Sequence, residues 1–107
     1  MDMAGMYRLE DLVKLALREG AKELHFQAGS APLMVSGGKS RALDLPTLTN
    51  EHVTELFCSF ATEAQVEELR RCGDVGFNHQ FQNSSRFRVN ALMERENISV
   101  KMKLLAG

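Results

Sequence analysis

The chain has 107 residues, of which 44% are hydrophobic and 25% charged, so it is the size and composition of one ordinary soluble domain. Its 13 basic and 14 acidic residues give a net charge of −1, which excludes a globally basic nucleic-acid-binding protein but not a local basic patch. Apolar runs are too short to span a bilayer and the N-terminus has no signal-peptide core, so we expect a cytoplasmic protein that does not insert into a membrane.

The first half of the chain predicts one helix and three short strands. Apolar residues recur at helical spacing over residues 7–19, and Gly20 follows where a left-handed cap is expected. Glu23–Gln27 alternates between polar and apolar residues, as in a short strand. A second strand at Leu33–Val35 is followed by the tight turn 36–39 and a short return strand through Ala42 and Leu43.

Two further helices are predicted in the middle of the chain. Thr49 is a candidate N-cap, and the helix after it carries the apolar stripe Val53, Leu56, Phe57 and Phe60. The sequence from Thr62 to Gln65 matches a capping box, and Gly73 follows Arg70 and Arg71 at the expected end of that helix.

The last third of the chain alternates strictly between apolar and other residues. Three such segments cover residues 75–81, 86–93 and 98–104, and polar turns at 83–85 and 94–97 join them. This pattern predicts an antiparallel three-stranded meander with one apolar face, which must pack on the helices. The sequence therefore predicts one α+β domain over residues 1–107, with about three helices on one face of a largely antiparallel sheet.

The alternation also predicts a basic face on the opposite side of the meander. With the apolar residues turned inward, the residues that face outward include Arg86, Arg88, Asn90, Lys101 and Lys103. Asn78 and Gln80 join them, and no acid is expected in the bodies of these strands. This face is either solvated or a contact surface for an anion or an acidic partner, since two arginines at this spacing suit phosphate or carboxylate oxygens. Both interpretations stay open.

Several apparent sites fail on spacing. Gly38-Lys39-Ser40 resembles the end of a phosphate-binding loop, but the position that requires the first glycine is Leu33 and no helix is expected to follow. Three histidines and two cysteines match no common metal-ligand pattern; they are His25, His52, His79, Cys58 and Cys72. We therefore predict no metal site and no catalytic residue, a core-facing His79, a solvated His52 and two free thiols in a reducing compartment.

Two segments together resemble a known family. GAKELH at Gly20–His25 with AGSAP at Ala28–Pro32 is similar to the signature GASDLHL.AG.PP, and GDVGF with SRFRVNA at Ser85–Ala91 is similar to a second signature, D.sf…..RFRVNAF. Both signatures occur in the N-terminal domain of the type II secretion and type IV pilus motor ATPases, and the likeness is strongest to the twitching-motility retraction ATPases. It extends over residues of roughly 7 to 105.

The resemblance implies a PAS-like N-terminal domain that precedes a RecA-like ATPase domain in a homo-hexameric motor. In such motors the N-terminal domain packs on the ATPase domain of the same or a neighbouring subunit, beside pilus or secretion machinery at the inner membrane. ATP and Mg²⁺ are bound through the RecA-like domain, whose Walker motifs do not occur in these 107 residues. The resemblance thus implies no cofactor and no ATP hydrolysis for this chain alone, with Arg86 and Arg88 matching the arginines of the RFRVN motif.

Two functions remain open at this point. The chain is either the assembly and gating domain of a pilus or secretion motor or a stand-alone PAS-like adaptor that binds a protein or small ligand through its sheet. The chain departs from the family pattern at Val35, Gly37 and Gly76, where the family has an arginine, an acid near the turn and an acid. The departures at Val35 and Gly76 favour the adaptor slightly.

Overall fold

The computed structural model describes residues 9–81 and 85–106, which form three helices and one six-stranded sheet. In chain order the elements are α1 (Leu9–Arg18), β1 (Glu23–Gln27), β2 (Leu33–Ser36), β3 (Lys39–Ala42), α2 (Asn50–Cys58), α3 (Glu63–Cys72), β4 (Asp74–Gln80), β5 (Arg86–Glu94) and β6 (Asn97–Ala106). The predicted α+β class and the C-terminal meander are confirmed. Residues 83 and 84 of the predicted turn and the first two residues of the predicted helix 7–19 fall outside the described residues.

The predicted caps define the ends of the helices. The hydroxyl of Thr49 accepts a hydrogen bond from the N–H of His52, and that of Thr62 accepts one from the N–H of Gln65, each at 3.2 Å. Gly73 ends α3 with a φ of +87°, where its N–H donates to the carbonyl of Leu69. Each capping box satisfies backbone donors that the first turn of a helix leaves without a partner.

The helix α2 is shorter than its apolar stripe suggests. It ends at Cys58, so Phe60 lies in the connection to α3 and not on the helix as predicted. The hydroxyl of Ser59 donates to the carbonyl of Leu56 at 2.6 Å and satisfies one of the helix's last acceptors. The chain must become extended at Thr62 to cap α3, which leaves no room for another turn of α2.

The sheet is antiparallel throughout and has the strand order β3-β2-β1-β6-β5-β4. The first and last strands of the chain, β1 and β6, are therefore neighbours at the centre of the sheet. There Leu24 of β1 lies opposite Met102 of β6. Gly37 and Gly38 join β2 to β3 with φ values of +59° and +81°, as a two-residue hairpin turn requires. A strand follows Gly38-Lys39-Ser40, so this segment lacks the helix that a phosphate-binding loop needs.

The core lies between the three helices and one face of the sheet. Leu24 and Phe26 of β1, Val89 of β5 and Met102 of β6 are at most 2% exposed. They pack with the buried sides of the helices, among which Phe57 of α2 is 1% exposed. The apolar face of the meander thus packs on the helices as predicted. Within residues 9–81 and 85–106, no helix has the length and hydropathy of a membrane span.

Candidate functional site

The face of the sheet that points away from the helices carries the positive charge predicted for it. We call this surface the basic face, and it consists of Arg86, Arg88, Asn90, Lys101 and Lys103, all of them exposed. Strand alternation accounts for the placement, because their neighbours Phe87, Val89 and Met102 are buried on the inner face. Asn78 and Gln80 of β4 lie directly opposite Arg88 and Arg86 in the register of β4 and β5.

Strand pairing arranges the basic face in rows across the sheet. Lys103 of β6 lies between Glu23 of β1 and Arg88 of β5. One step along, Lys101 lies between His25 and Asn90. Adjacent strands are about 4.8 Å apart, so each row brings its side chains within reach of one partner molecule.

The predicted strand bodies 75–81, 86–93 and 98–104 contain no acid, but acids lie at the ends of the observed strands and on β1. Asp74 is the first residue of β4 and Glu94 the last of β5, since both strands extend further than the alternation indicated. In addition, β1 places Glu23 next to Lys103. The basic charge is therefore a band across the middle of the face, with acidic residues around it.

Glu23 and His25 were not recognised from the sequence as part of this surface. Glu23 Oε1 and His25 Nε2 lie 2.9 Å apart and form a hydrogen bond along β1. Their alternation with Leu24 was visible in the sequence, but the position of β1 beside β6 depends on a pairing between the two ends of the chain. The three ion pairs among the described residues involve Glu23, Glu19 and Glu67, and none includes a member of the basic face. The lysines and arginines of this band thus keep their charge available for a partner.

Gly76 of β4 leaves a recess on the basic face. A Cβ atom on Gly76 would lie 2.6 Å from Arg88 Nη2, 2.8 Å from Asn90 Oδ1 and 3.3 Å from Arg88 Cζ. The guanidinium of Arg88 and the amide of Asn90 therefore lie over the bare backbone of β4.

Two exposed leucines, Leu92 at 42% and Leu105 at 48%, add apolar surface on β5 and β6.

The histidines and cysteines occupy separate environments. His79 lies on the core-facing side as predicted, with its ring centroid 5.1 Å from that of Phe60 and 4.6 Å from that of Phe81, and burial lowers its pKa below the usual 6.5. His52 is not simply solvated, because its Nδ1 accepts the N–H of Thr49 in the capping box. Cys58 and Cys72 are free and exposed. Across the described residues, no three His, Cys, Asp or Glu side chains form a group that could hold a metal ion.

Comparison with known proteins finds relatives of this chain among pilus and secretion ATPases. No protein-family model matches the chain. It is 28% identical over 83 residues to the type IV pilus retraction ATPase PilT of Pseudomonas aeruginosa, an alignment that covers 78% of this chain and 24% of PilT. It also superposes on the crystal structure of the pilus retraction motor PilT with bound ADP, with a TM-score of 0.86 and 27% identity, over 94% of this chain and 30% of that one.

The chain is homologous to the N-terminal region of PilT. It spans less than a third of the length of the relatives it matches, and the catalytic domain of PilT lies outside the matched region. The ATPase DotB of Legionella pneumophila has the same fold, with a TM-score of 0.77 and 18% identity over 99% of this chain and 30% of DotB. DotB of Yersinia pseudotuberculosis is similar, with a TM-score of 0.73 and 14% identity.

Proposed function

We propose that this chain is a non-catalytic assembly and gating domain of a pilus or secretion motor. In this proposal it packs through its basic face on a RecA-like ATPase domain of the same or a neighbouring subunit in a homo-hexamer. The motor stands on the cytoplasmic side of the inner membrane, next to the pilus or secretion machinery. The observation that carries the proposal is the likeness to PilT over nearly the whole chain.

The charge distribution supports the use of the basic face for this contact. Arg88 and Lys103 lie opposite each other on adjacent strands, where like charges destabilise a sheet. An acidic surface or a phosphate group that met this band would offset the repulsion. The rigid sheet behind the band would then transmit a rotation of the domain to the whole contact, and this is how we propose that the domain couples nucleotide state to pilus retraction or protein secretion.

Nucleotide chemistry belongs to the partner domain in this proposal. PilT carries bound ADP in its crystal structure, and the present chain corresponds to the N-terminal third of that motor. The RecA-like domain binds ATP and Mg²⁺ and performs the hydrolysis. Arg86 and Arg88 of the N-terminal domain approach the nucleotide or the neighbouring subunit.

A chimera tests the proposal directly. The chain replaces the matching N-terminal region of P. aeruginosa PilT, and the ATPase rate and the oligomeric state of the chimera are measured. We expect a hexamer that hydrolyses ATP, and we expect Arg86→Ala with Arg88→Ala to lower the rate roughly tenfold through lost charge-assisted contacts. Lys14→Ala with Arg18→Ala removes the same charge from α1 and is the matched control.

Two outcomes would count against the proposed use of the basic face in the motor. The first is a hexamer in which the arginine variants and the α1 control hydrolyse ATP at the same rate. The second is loss of the folded state in the arginine variants by circular dichroism, which would make these residues structural. The reading frame that follows codon 107 separates the two functions considered from the sequence, because a stop codon at that point would favour the adaptor.

A further inference from the structure

Gly76 differs from the other glycines that the structure describes. Gly20, Gly29, Gly37, Gly38 and Gly73 all have a positive φ, and a Cβ at each would meet nothing within 4 Å. Gly76 has no positive φ and sits inside β4, where a side chain is normally an advantage. The backbone conformation at residue 76 therefore does not require a glycine. The space that a side chain would need there is already occupied by other side chains.

The space over Gly76 is filled by the end of the Arg88 side chain. The Cβ position of Gly76 is 2.6 Å from Arg88 Nη2, closer than real Cβ atoms approach other atoms. Asn90 Oδ1 lies 2.8 Å from the same position. Since both are ends of flexible side chains, a methyl group at Gly76 would displace them and leave the strand backbone in place.

The direction of Arg88 matters for the charge of the basic face. On β5, Arg88 lies between Asn78 of β4 and Lys103 of β6. The recess at Gly76 is on the β4 side, so the guanidinium lies on the side of β5 away from Lys103. A side chain at Gly76 would push the guanidinium out of this recess, towards Lys103 or into solvent.

We propose that Gly76 is a positioning residue, which holds the Arg88 guanidinium over β4 and so sets the geometry in which the basic face meets its partner. The identity of the partner, an ATPase domain, rests on the proposed function. The position of the Arg88 side chain is independent of the proposed function. A fixed guanidinium loses less freedom on binding than one extended in solvent, which makes it a stronger contact.

The position itself is tested on the isolated chain by nuclear magnetic resonance. We expect nuclear Overhauser contacts between the Arg88 side-chain protons and the Hα protons of Gly76, and we expect the contacts of the Arg88 side chain with residue 76 to disappear in Gly76→Ala, while the backbone pairing of Arg88 with Asn78 persists. The melting temperature of this variant should equal or exceed that of the unchanged chain, because alanine suits a strand better than glycine. Absence of the contacts in the unchanged chain would overturn the inference, whatever the motor does.

The consequence for binding is tested in the PilT chimera with Gly76→Ala, Arg88→Ala and the combined variant. We expect each single variant to lower the ATPase rate by a similar factor, roughly threefold, and the combined variant to be no slower than Arg88→Ala. Lys14→Ala removes one exposed charge from α1, away from the basic face, and should leave the rate unchanged.

The outcomes separate the two proposals. If Arg88→Ala slows the chimera and Gly76→Ala does not, the positioning role is wrong and the proposed function stands. If Arg88→Ala leaves the rate unchanged although the Overhauser contacts are present, Gly76 still positions the side chain and the proposed use of Arg88 in the motor is wrong. A combined variant much slower than Arg88→Ala would show that Gly76 acts independently of Arg88, and would overturn the inference.

Discussion

The side chain of Asn50 donates a hydrogen bond from Nδ2 to the backbone carbonyl of Glu96 across 2.9 Å, although the two residues are 46 positions apart. The Oδ1 atom of the same side chain accepts the N–H of Ile98, also at 2.9 Å. Asn50 is the first residue of α2, directly after the N-cap Thr49. One amide group therefore ties the start of α2 to the turn between β5 and β6.

We expect Asn50→Ala to lower the free energy of unfolding by about 2 kcal/mol, because two hydrogen bonds are lost and the Ile98 N–H keeps no partner. Urea unfolding of the 107-residue chain measures this. Asn97→Ala at the same turn changes an exposed residue and should cost less than about 0.5 kcal/mol. Equal losses in the two variants would contradict a specific role for the Asn50 amide.

The β5–β6 turn is strained at the two residues that form it. Arg95 and Glu96 have φ values of +49° and +70°, which β-carbons disfavour. Arg95→Asn combined with Glu96→Gly installs the pair that such turns prefer, and should raise the free energy of unfolding by about 1 kcal/mol. Gly37→Ala, in the hairpin between β2 and β3, should have the opposite effect. A less stable Asn-Gly variant would show that the side chains of the turn contribute more than its backbone costs.

Acidification should destabilise the fold through His79. Burial lowers the pKa of His79 in the folded chain below 6.5, so the unfolded chain binds a proton first as the pH falls. The contribution of this group to stability is therefore complete above pH 6.5 and is lost as the pH drops through the lowered folded value. His79→Phe keeps a ring beside Phe60 and Phe81 and should flatten the stability profile between about pH 7.5 and 5. His25→Ala is the control, and a profile unchanged in His79→Phe would assign the acid sensitivity to other groups.

Truncation of two neighbouring residues of β6 should have very different effects on the free energy of unfolding. Met102 is fully buried, and Met102→Ala should cost about 2–5 kcal/mol through lost burial and a cavity. Lys101→Ala, one residue away on the outer face, should change stability by less than about 0.5 kcal/mol. Urea unfolding measures both. Similar costs would mean that the outer face is covered in solution.

The isolated chain should not bind ATP with useful affinity. The matched third of PilT leaves out the catalytic domain, so most of a nucleotide site is missing. Titration calorimetry with ATP and Mg²⁺ measures this, and arginine variants of the basic face serve as controls for charge attraction alone. Low-micromolar binding that these variants do not reduce would reveal a complete site within the chain.

Local signals in the sequence predicted most of the fold. The capping box at Thr62, the glycine cap at Gly73 and the parity of the meander each depend on residues close together in the chain, and the structure has all three. The position of β1 beside β6 could not be predicted, because periodicity does not specify which strands pair. For that reason Glu23 was missed as a neighbour of Lys103.

The rest of the candidate site depended on side-chain geometry. In the sequence, Gly76 was only a departure from a family pattern. The structure shows that the absent side chain leaves a recess, which the Arg88 guanidinium occupies. The acids at Asp74 and Glu94 were missed because both strands extend further than their alternating cores. Strand ends depend on pairing with neighbours more than on composition.

The strand order has a consequence for biosynthesis. Since β1 is hydrogen-bonded to β6 as well as to β2, the segment made early at the ribosome must wait for the one made near residue 106 before its second edge is paired. Such distant contacts slow folding, because a long loop must close before they form. During that interval Leu24 and Phe26 lack the cover of β6, and chaperones that bind exposed apolar segments would find them there.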